Sequence, residues 1–191
     1  MRNVYLIIDG NLSSTSENTT MFIRRIQKKS ELPKAKFRLS SFCVLITRAQ
    51  ERAFLKFIQE DNCYRKYYDG IFILFNTGLR ISELCGLTIS DIDFEKKRIR
   101  VNHQLQRKRD MEYVIEDTKT KSGERYVPMS QQVVECFRRV IASRKPPKKE
   151  PIIDGYTGFL FLDKNGMPMV ALHWEHYFKR ILNKYNSIYK V

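Results

Sequence analysis

Apolar residues recur at helical spacing in four stretches of the chain. The first follows a capping-box sequence, T-R-A-Q, in which the Thr47 hydroxyl would cap the amide of Gln50. The second, from about 64 to 76, is apolar around most of its circumference, so it is predicted to lie at the centre of the core. Gly78 is its predicted stop, because glycine adopts the left-handed conformation that ends many helices.

The other two helical stretches lie in the second half of the chain. Ser130 is the predicted cap of an amphipathic helix that cannot continue past Pro146 and Pro147. An extended segment that turns at Asn165-Gly166 follows it, and a last helix then runs to the C-terminus. The apolar stripe of that last helix consists of Trp174, Tyr177, Phe178, Ile181, Leu182 and Tyr185.

Between these helices the period changes from helical to alternating. A short helical turn is predicted at 81–86, and β-branched and aromatic residues then cluster in short runs at 99–101, 113–115 and 125–127. These runs predict three antiparallel strands, the third reached through a turn at Gly123. The predicted fold is α+β, mainly helical with a small three-stranded antiparallel sheet.

The chain divides by composition near residue 45. Residues 1–44 are polar and then basic, with one short helix predicted near 20–29, and they are interpreted as a stub or linker. Residues 45–191 hold the apolar periodicity and are predicted to form the folded domain.

The charge of the chain points to a polyanionic partner. Its 191 residues include 35 Lys and Arg against 21 Asp and Glu, a formal net charge of +14. No stretch is long and apolar enough to predict a membrane span or a signal peptide, and the four cysteines show no metal-binding or disulfide spacing. A cytoplasmic protein with reduced thiols is expected, with no membrane partner.

Two motifs carry a resemblance to a known family. The segment from Thr77 to Asp93, T-G-L-R-I-S-E-L-C-G-L-T-I-S-D-I-D, resembles the first conserved box of tyrosine recombinases, whose form is T-G-x-R-x-x-E-L-x-x-L followed by an acidic motif. The segment from Thr118 to Met129, T-K-T-K-S-G-E-R-Y-V-P-M, resembles the β-hairpin box of the same family. Together with Q-L-Q at 104–106, these motifs are most similar to integrases of conjugative transposons.

The resemblance implies a site for DNA strand exchange, in which a transition state rich in negative charge must be stabilised. Arg80 is expected to bind the non-bridging phosphate oxygens, because its planar guanidinium can hold two of them at once. Glu83, three residues later on the same short helix, is expected to orient Arg80. Lys119 is the expected general acid for the leaving 5′ oxygen, and Lys121 is the alternative.

Further basic residues are predicted to bind DNA outside that centre. Lys121 and Arg125 belong to the hairpin box, and Arg125 is expected to contact a backbone phosphate. The run Arg107, Lys108 and Arg109 is expected to extend the same DNA-binding surface. The implied partners are double-stranded DNA, at the bacterial nucleoid, and other recombinase protomers, with no small-molecule substrate.

No metal or cofactor is predicted. His173 and His176 lie one turn apart on the last helix, but no third ligand is spaced to complete a site. His103, on a strand among basic residues, is interpreted as a structural or phosphate-contacting residue.

The sequence departs from the family pattern at its end. A full member continues with a second arginine box, a further histidine and the nucleophilic tyrosine, and these motifs are not found in the 191 residues. Tyr185 and Tyr189 both precede the expected position of that box, so neither is interpreted as the nucleophile. The expectation is therefore a partial catalytic domain, without its last helices and inactive alone.

Three hypotheses follow from that expectation. The first is an integrase fragment derived from a mobile element. The second is a non-catalytic DNA-binding accessory protein, or the N-terminal half of a split integrase. The third is a basic protein associated with RNA or the ribosome.

Overall fold

A computed structural model describes residues 48–117 and 124–189, together with the backbone of 4–8 and 42–46. Several predicted features lie outside these ranges: the Thr47 cap, the short helix near 20–29, and the turn that carries Lys119, Lys121 and Gly123. No helix among the described residues is long and apolar enough to cross a membrane.

Most of the described chain is organised by helices. A 3₁₀ turn at Arg65–Tyr67 precedes the second of them. The helices are α1 (Arg48–Glu60), α2 (Tyr68–Thr77), α3 (Ile81–Gly86), α4 (Gln131–Ser143) and α5 (Ala171–Tyr189).

The ends of α2 and α4 follow the predicted local chemistry. Gly78 adopts φ 70°, and its N–H donates to the Leu74 carbonyl at 3.2 Å, which ends α2. The Ser130 Oγ accepts from the Val133 N–H at 3.3 Å, which caps α4.

The strands form three small antiparallel sheets. The first pairs β1 with β2, the second has the order β3-β4-β7, and the third pairs β5 with β6. The strands are β1 (Val4–Ile8), β2 (Phe42–Ile46), β3 (Ile92–Asp93), β4 (Arg98–Val101), β5 (His103–Arg107), β6 (Tyr113–Asp117) and β7 (Arg125–Pro128).

The three-stranded antiparallel sheet is confirmed, with one change of membership. Two of the predicted strands, β4 and β7, lie in it, but the predicted 113–115 strand pairs with β5 in a separate sheet. Pairing with its neighbour in the chain closes a shorter loop, which costs less conformational entropy. The sequence pattern predicts no strand ahead of Thr47, whereas the structure pairs β1 with β2 there.

The core lies around α2, as its all-round apolar pattern predicts. Ile71 and Ile73 are buried, and α1 and α5 meet the helix through the rings of Phe54, Phe75 and Phe178. Trp174 of α5 is 3% exposed and closes the space beside Gly70. Helices α1 and α5, which are far apart in the chain, therefore both pack against α2.

Gly70 illustrates how tightly α5 packs. A Cβ at this position would lie 2.2 Å from Cη2 of Trp174, closer than two carbon atoms can approach. Gly70→Ala should destabilise the protein by about 2 kcal/mol, because overpacking outweighs the gain of roughly 1 kcal/mol from replacing a helical glycine. Urea unfolding, followed by the emission of the single tryptophan, measures this.

A matched control lies on the same helix. Asn76 is exposed, and Asn76→Ala should change stability by less than about 0.5 kcal/mol. A stabilised Gly70→Ala variant would show that Trp174 does not occupy this space.

Candidate functional site

A buried carboxylate lies at the centre of the candidate site. Glu83 occupies the third position of α3 and is 1% exposed. Its Oε2 accepts from the backbone N–H of Arg80 at 2.8 Å, so it closes the first turn of the helix. This hydrogen bond therefore fixes the Glu83 side chain against the first turn of α3.

Two arginine side chains converge on this carboxylate from different parts of the chain. Arg80 Nη1 donates to Oε1 at 3.2 Å, while Arg125, on β7, donates from Nη1 and Nη2 to the two oxygens at 2.9 and 2.7 Å. The two arginine side chains are 33% and 35% exposed, although Glu83 is buried. The group carries a net charge of +1 and holds two guanidinium groups at the surface, an arrangement suited to an anion.

Strand β5 fixes the position of α3. Ser82 Oγ donates to Gln104 Oε1 at 2.9 Å, and His103 Nε2 donates to the Gly86 carbonyl at 2.8 Å. A Cβ on Gly86 would lie 3.0 Å from the backbone nitrogen of Leu105, so the strand and the helix are in close contact. His103 is 3% exposed, and these contacts give it a structural role.

A second buried carboxylate, not singled out among the predicted site residues, lies just beyond α3. Asp91 accepts from the N–H and Oγ1 of Thr88 at 2.9 and 2.6 Å, and from Nε and Nη2 of Arg100 at 3.3 and 3.1 Å. Its sequence signal is the acidic motif that follows the first box. Asp91 fixes the turn between α3 and the three-stranded sheet.

The remaining predicted basic residues belong to two parts of the chain. Residues 118–123, with Lys119 and Lys121, are outside the described residues and join Asp117 of β6 to the segment that leads into Arg125. Arg107 ends β5, about 13 Å along the strand pair from the end formed by His103 and Asp117, and Lys108 and Arg109 follow it in the chain. Lys108 Nζ donates to Glu112 at 2.7 Å, and the guanidinium of Arg107 lies 5.1 Å from the ring centre of Tyr113.

The surroundings of the histidines, cysteines and tyrosine outside this centre are structural. Among the described residues, no cluster of three or more potential ligands could hold a metal ion, and His173 Nδ1 accepts from the Val170 N–H at 3.3 Å. Burial raises the pKa of the Cys85 thiol, and it raises that of Cys136 to about 12, so both remain protonated at neutral pH. The ring of Tyr185 packs edge-on against Phe54 at 5.4 Å.

The family model described as the phage integrase family matches residues 45–190. The chain is 46% identical over 143 residues to a transposase from transposon Tn916 of Enterococcus faecalis. It is 29% identical over 133 residues to a XerC-like tyrosine recombinase of Caldanaerobacter subterraneus.

The solved structures with a similar fold are also recombinases. A Tn1549 transposon integrase in complex with circular intermediate DNA matches with a TM-score of 0.72 at 53% identity, over 75% of this chain and 46% of that one. A XerA recombinase shares the fold alone, with a TM-score of 0.54 at 18% identity. The fold is thus that of a tyrosine recombinase catalytic domain. The chain belongs to the phage integrase family, and its resemblance to integrases of conjugative transposons is confirmed.

The match covers only part of these relatives. The aligned region is 75% of this chain but 35% of the Tn916 transposase. The chain thus spans about a third of the length of that relative.

Proposed function

We propose that residues 45–191 supply part of the phosphate-binding site of a site-specific DNA recombinase, and that the chain binds double-stranded DNA. The observation that carries this proposal is the pair of partly exposed arginines held by one buried carboxylate, Glu83. Arg80 would bind the non-bridging oxygens of the phosphate at which strands are exchanged, and Arg125 would contact a phosphate beside it.

Each residue type suits its proposed task. The transition state at a phosphodiester concentrates negative charge on oxygens that guanidinium groups can hold in fixed directions. Glu83 holds both groups before DNA arrives, so less side-chain entropy is lost on binding. Lys119, or alternatively Lys121, would donate a proton to the leaving 5′ oxygen.

The proposed partners follow from the same surface. The Tn1549 integrase was solved in complex with DNA, and the +14 charge of this chain suits the same polyanion. The basic run Arg107, Lys108 and Arg109 would extend the protein's contact along the sugar-phosphate backbone of the DNA. The protein would act on DNA at the nucleoid, in the bacterial cytoplasm, together with other recombinase protomers.

Duplex DNA binding tests the proposal directly. The dissociation constant for a labelled duplex of about 30 base pairs, measured by fluorescence anisotropy, should rise steeply between 50 and 200 mM salt, because each phosphate contact releases counterions. Arg80→Ala and Arg125→Ala should each weaken binding roughly tenfold at low salt and lower the slope of log K against log salt by about one.

Arg65 provides a control with the same change of charge. It is exposed and begins the 3₁₀ turn before α2. The ten residues of α2, about 15 Å of helix, separate this turn from the end of the helix near Arg80. Arg65→Ala should change the affinity less than about twofold, since it removes only distant charge. Equal losses in all three variants would show that net charge, and not the arginine pair, determines binding.

A further inference from the structure

The three-stranded sheet has an apolar inner face and an outer face of arginine and tyrosine. Ile99 and Val101 of β4 are buried in the core, whereas the alternate residues Arg98 and Arg100 are partly exposed. Tyr126 of β7 lies directly opposite Arg100 and is 54% exposed. Arg98, Arg100 and Tyr126 together form the outer face of the sheet.

Arg98 and Tyr126 form a stacked pair on this outer face. The guanidinium carbon of Arg98 lies 4.1 Å from the ring centre of Tyr126, and Arg98 Nε donates to Asp93 Oδ2 at 3.1 Å. The bond to Asp93 uses only the Nε donor of the guanidinium, so its other N–H groups can bind a second anion. Because Tyr126 stays more than half exposed, the rest of its ring is open to solvent. The pair therefore offers a flat aromatic surface beside a cation.

The outer face is separate from the arginine pair of the proposed site. Successive side chains of a strand point to opposite faces, so Arg125 lies on the inner side of β7, where it binds Glu83, while Tyr126 lies on the outer side. Buried Asp91 holds the Nε and Nη2 of Arg100, which fixes that guanidinium at the outer face. A ligand of the outer face therefore need not displace a phosphate that is bound by the arginine pair.

An unpaired nucleotide matches the chemistry of this face. Aromatic rings at a sheet surface bind unpaired bases by stacking, and arginines bind the phosphates next to those bases. The bases of a duplex are already stacked on one another and present only their edges, so they cannot stack on an exposed ring. An acidic peptide segment would neutralise Arg98, but its carboxylates would offer no aromatic surface to Tyr126.

We propose that the outer face of the sheet binds single-stranded DNA, with one base stacked on Tyr126 and a neighbouring phosphate bound by Arg98. The choice of DNA over RNA rests on the proposed function, since an unpaired strand of the DNA held by the arginine pair would meet the same protein. The binding face itself is inferred from the exposure of Tyr126 and its contact with Arg98.

Two substitutions at Tyr126 separate stacking from charge and from apolar bulk. Tyr126→Phe retains the aromatic ring, whereas Tyr126→Leu retains an apolar side chain without a ring. Neither substitution changes the net charge, and Tyr126 is exposed, so both variants should fold. Arg98→Ala tests the phosphate contact, and Arg65→Ala, which removes an equal charge from the exposed turn before α2, is its control.

The measurement is the loss of affinity when the bases are removed from a single strand. The probes are a labelled thymidylate strand of about 12 nucleotides and an abasic strand of the same length, titrated by anisotropy at 50 mM salt. Loss of the bases should weaken binding roughly tenfold in the wild type and in Tyr126→Phe, but less than about threefold in Tyr126→Leu. Arg98→Ala should lower the slope of log K against log salt by about one for the thymidylate strand, and Arg65→Ala should leave that slope unchanged.

The outcomes separate the inference from the proposed function. An equal effect of the bases in the wild type and in Tyr126→Leu overturns stacking on Tyr126, even if thermal unfolding shows that Tyr126→Leu is less stable. A uridylate RNA strand bound more than tenfold more tightly than the thymidylate strand overturns the choice of DNA. In both cases the proposed function stands if Arg80→Ala still weakens binding to the duplex.

The duplex used above gives the converse test. Tyr126→Leu should bind it within about twofold of the wild type, because a duplex presents no base face to the ring. An equal loss of affinity for the duplex and for the single strand would overturn the inference, since the outer face would then not select unpaired bases. If Arg80→Ala and Arg125→Ala leave duplex binding unchanged, the proposed function fails, whatever the result at Tyr126.

Discussion

Replacing Glu83 by alanine should lower the free energy of unfolding by about 3 kcal/mol and weaken DNA binding at least tenfold. The substitution leaves two guanidinium groups facing each other without the carboxylate between them, and it removes the acceptor for the Arg80 N–H. Because both arginines are about a third exposed, water can solvate them in part, which keeps the cost below that of a fully buried charge. Urea unfolding and anisotropy titration measure the two effects.

Two controls separate the role of Glu83 from the loss of a negative charge. Glu95 is exposed, and Glu95→Ala makes the same change in net charge with an expected effect below about 0.5 kcal/mol. Glu83→Gln keeps an oxygen that can accept but loses the charge, so its stability should be intermediate. If Glu83→Ala bound DNA more tightly, in line with its higher positive charge, the carboxylate would not be holding the arginines in a binding geometry.

The sequence predicts the local features of this site because they are encoded over short distances. The left-handed Gly78, the emergence of Arg80 after it and the placement of Glu83 three residues later depend on helix geometry alone. The contact between Glu83 and Arg125 joins residues 42 positions apart. No periodicity encodes it, since it depends on the pairing of β7 with β4 in the three-stranded sheet.

Strand pairing, like the contact between Glu83 and Arg125, is not encoded by sequence periodicity. Alternation predicts that 113–115 is extended, but it does not name the partner strand. The run at 103–107 contains glutamine at 104 and 106, which weakens the apolar signal of β5, although those residues face away from buried His103 and Leu105. Gln104 meets Glu116 only through this pairing, so sequence periodicity does not identify the contact.

A second large effect is expected at the other buried carboxylate. Asp91→Ala should destabilise the protein by about 3 kcal/mol, because the side chain is fully buried and accepts from Thr88 and Arg100. Thr88 is itself 2% exposed, so its N–H would lose its partner away from water, while its hydroxyl would keep only the contact with Ser90 Oγ at 2.8 Å. For a protein of this size the loss corresponds to a fall of roughly 6 to 12 °C in the midpoint of thermal unfolding.

Asp93 is the matched control for Asp91, two residues away. It pairs with Arg98 at 3.1 Å, but both side chains are about a third exposed, so Asp93→Ala should cost less than about 1 kcal/mol. Below its unfolding temperature, Asp91→Ala should bind DNA within about threefold of Asp93→Ala, because Asp91 supports the turn after α3 and not the arginine pair. A loss of DNA affinity as large as that of Glu83→Ala would instead place Arg100, the arginine held by Asp91, on the DNA-binding surface.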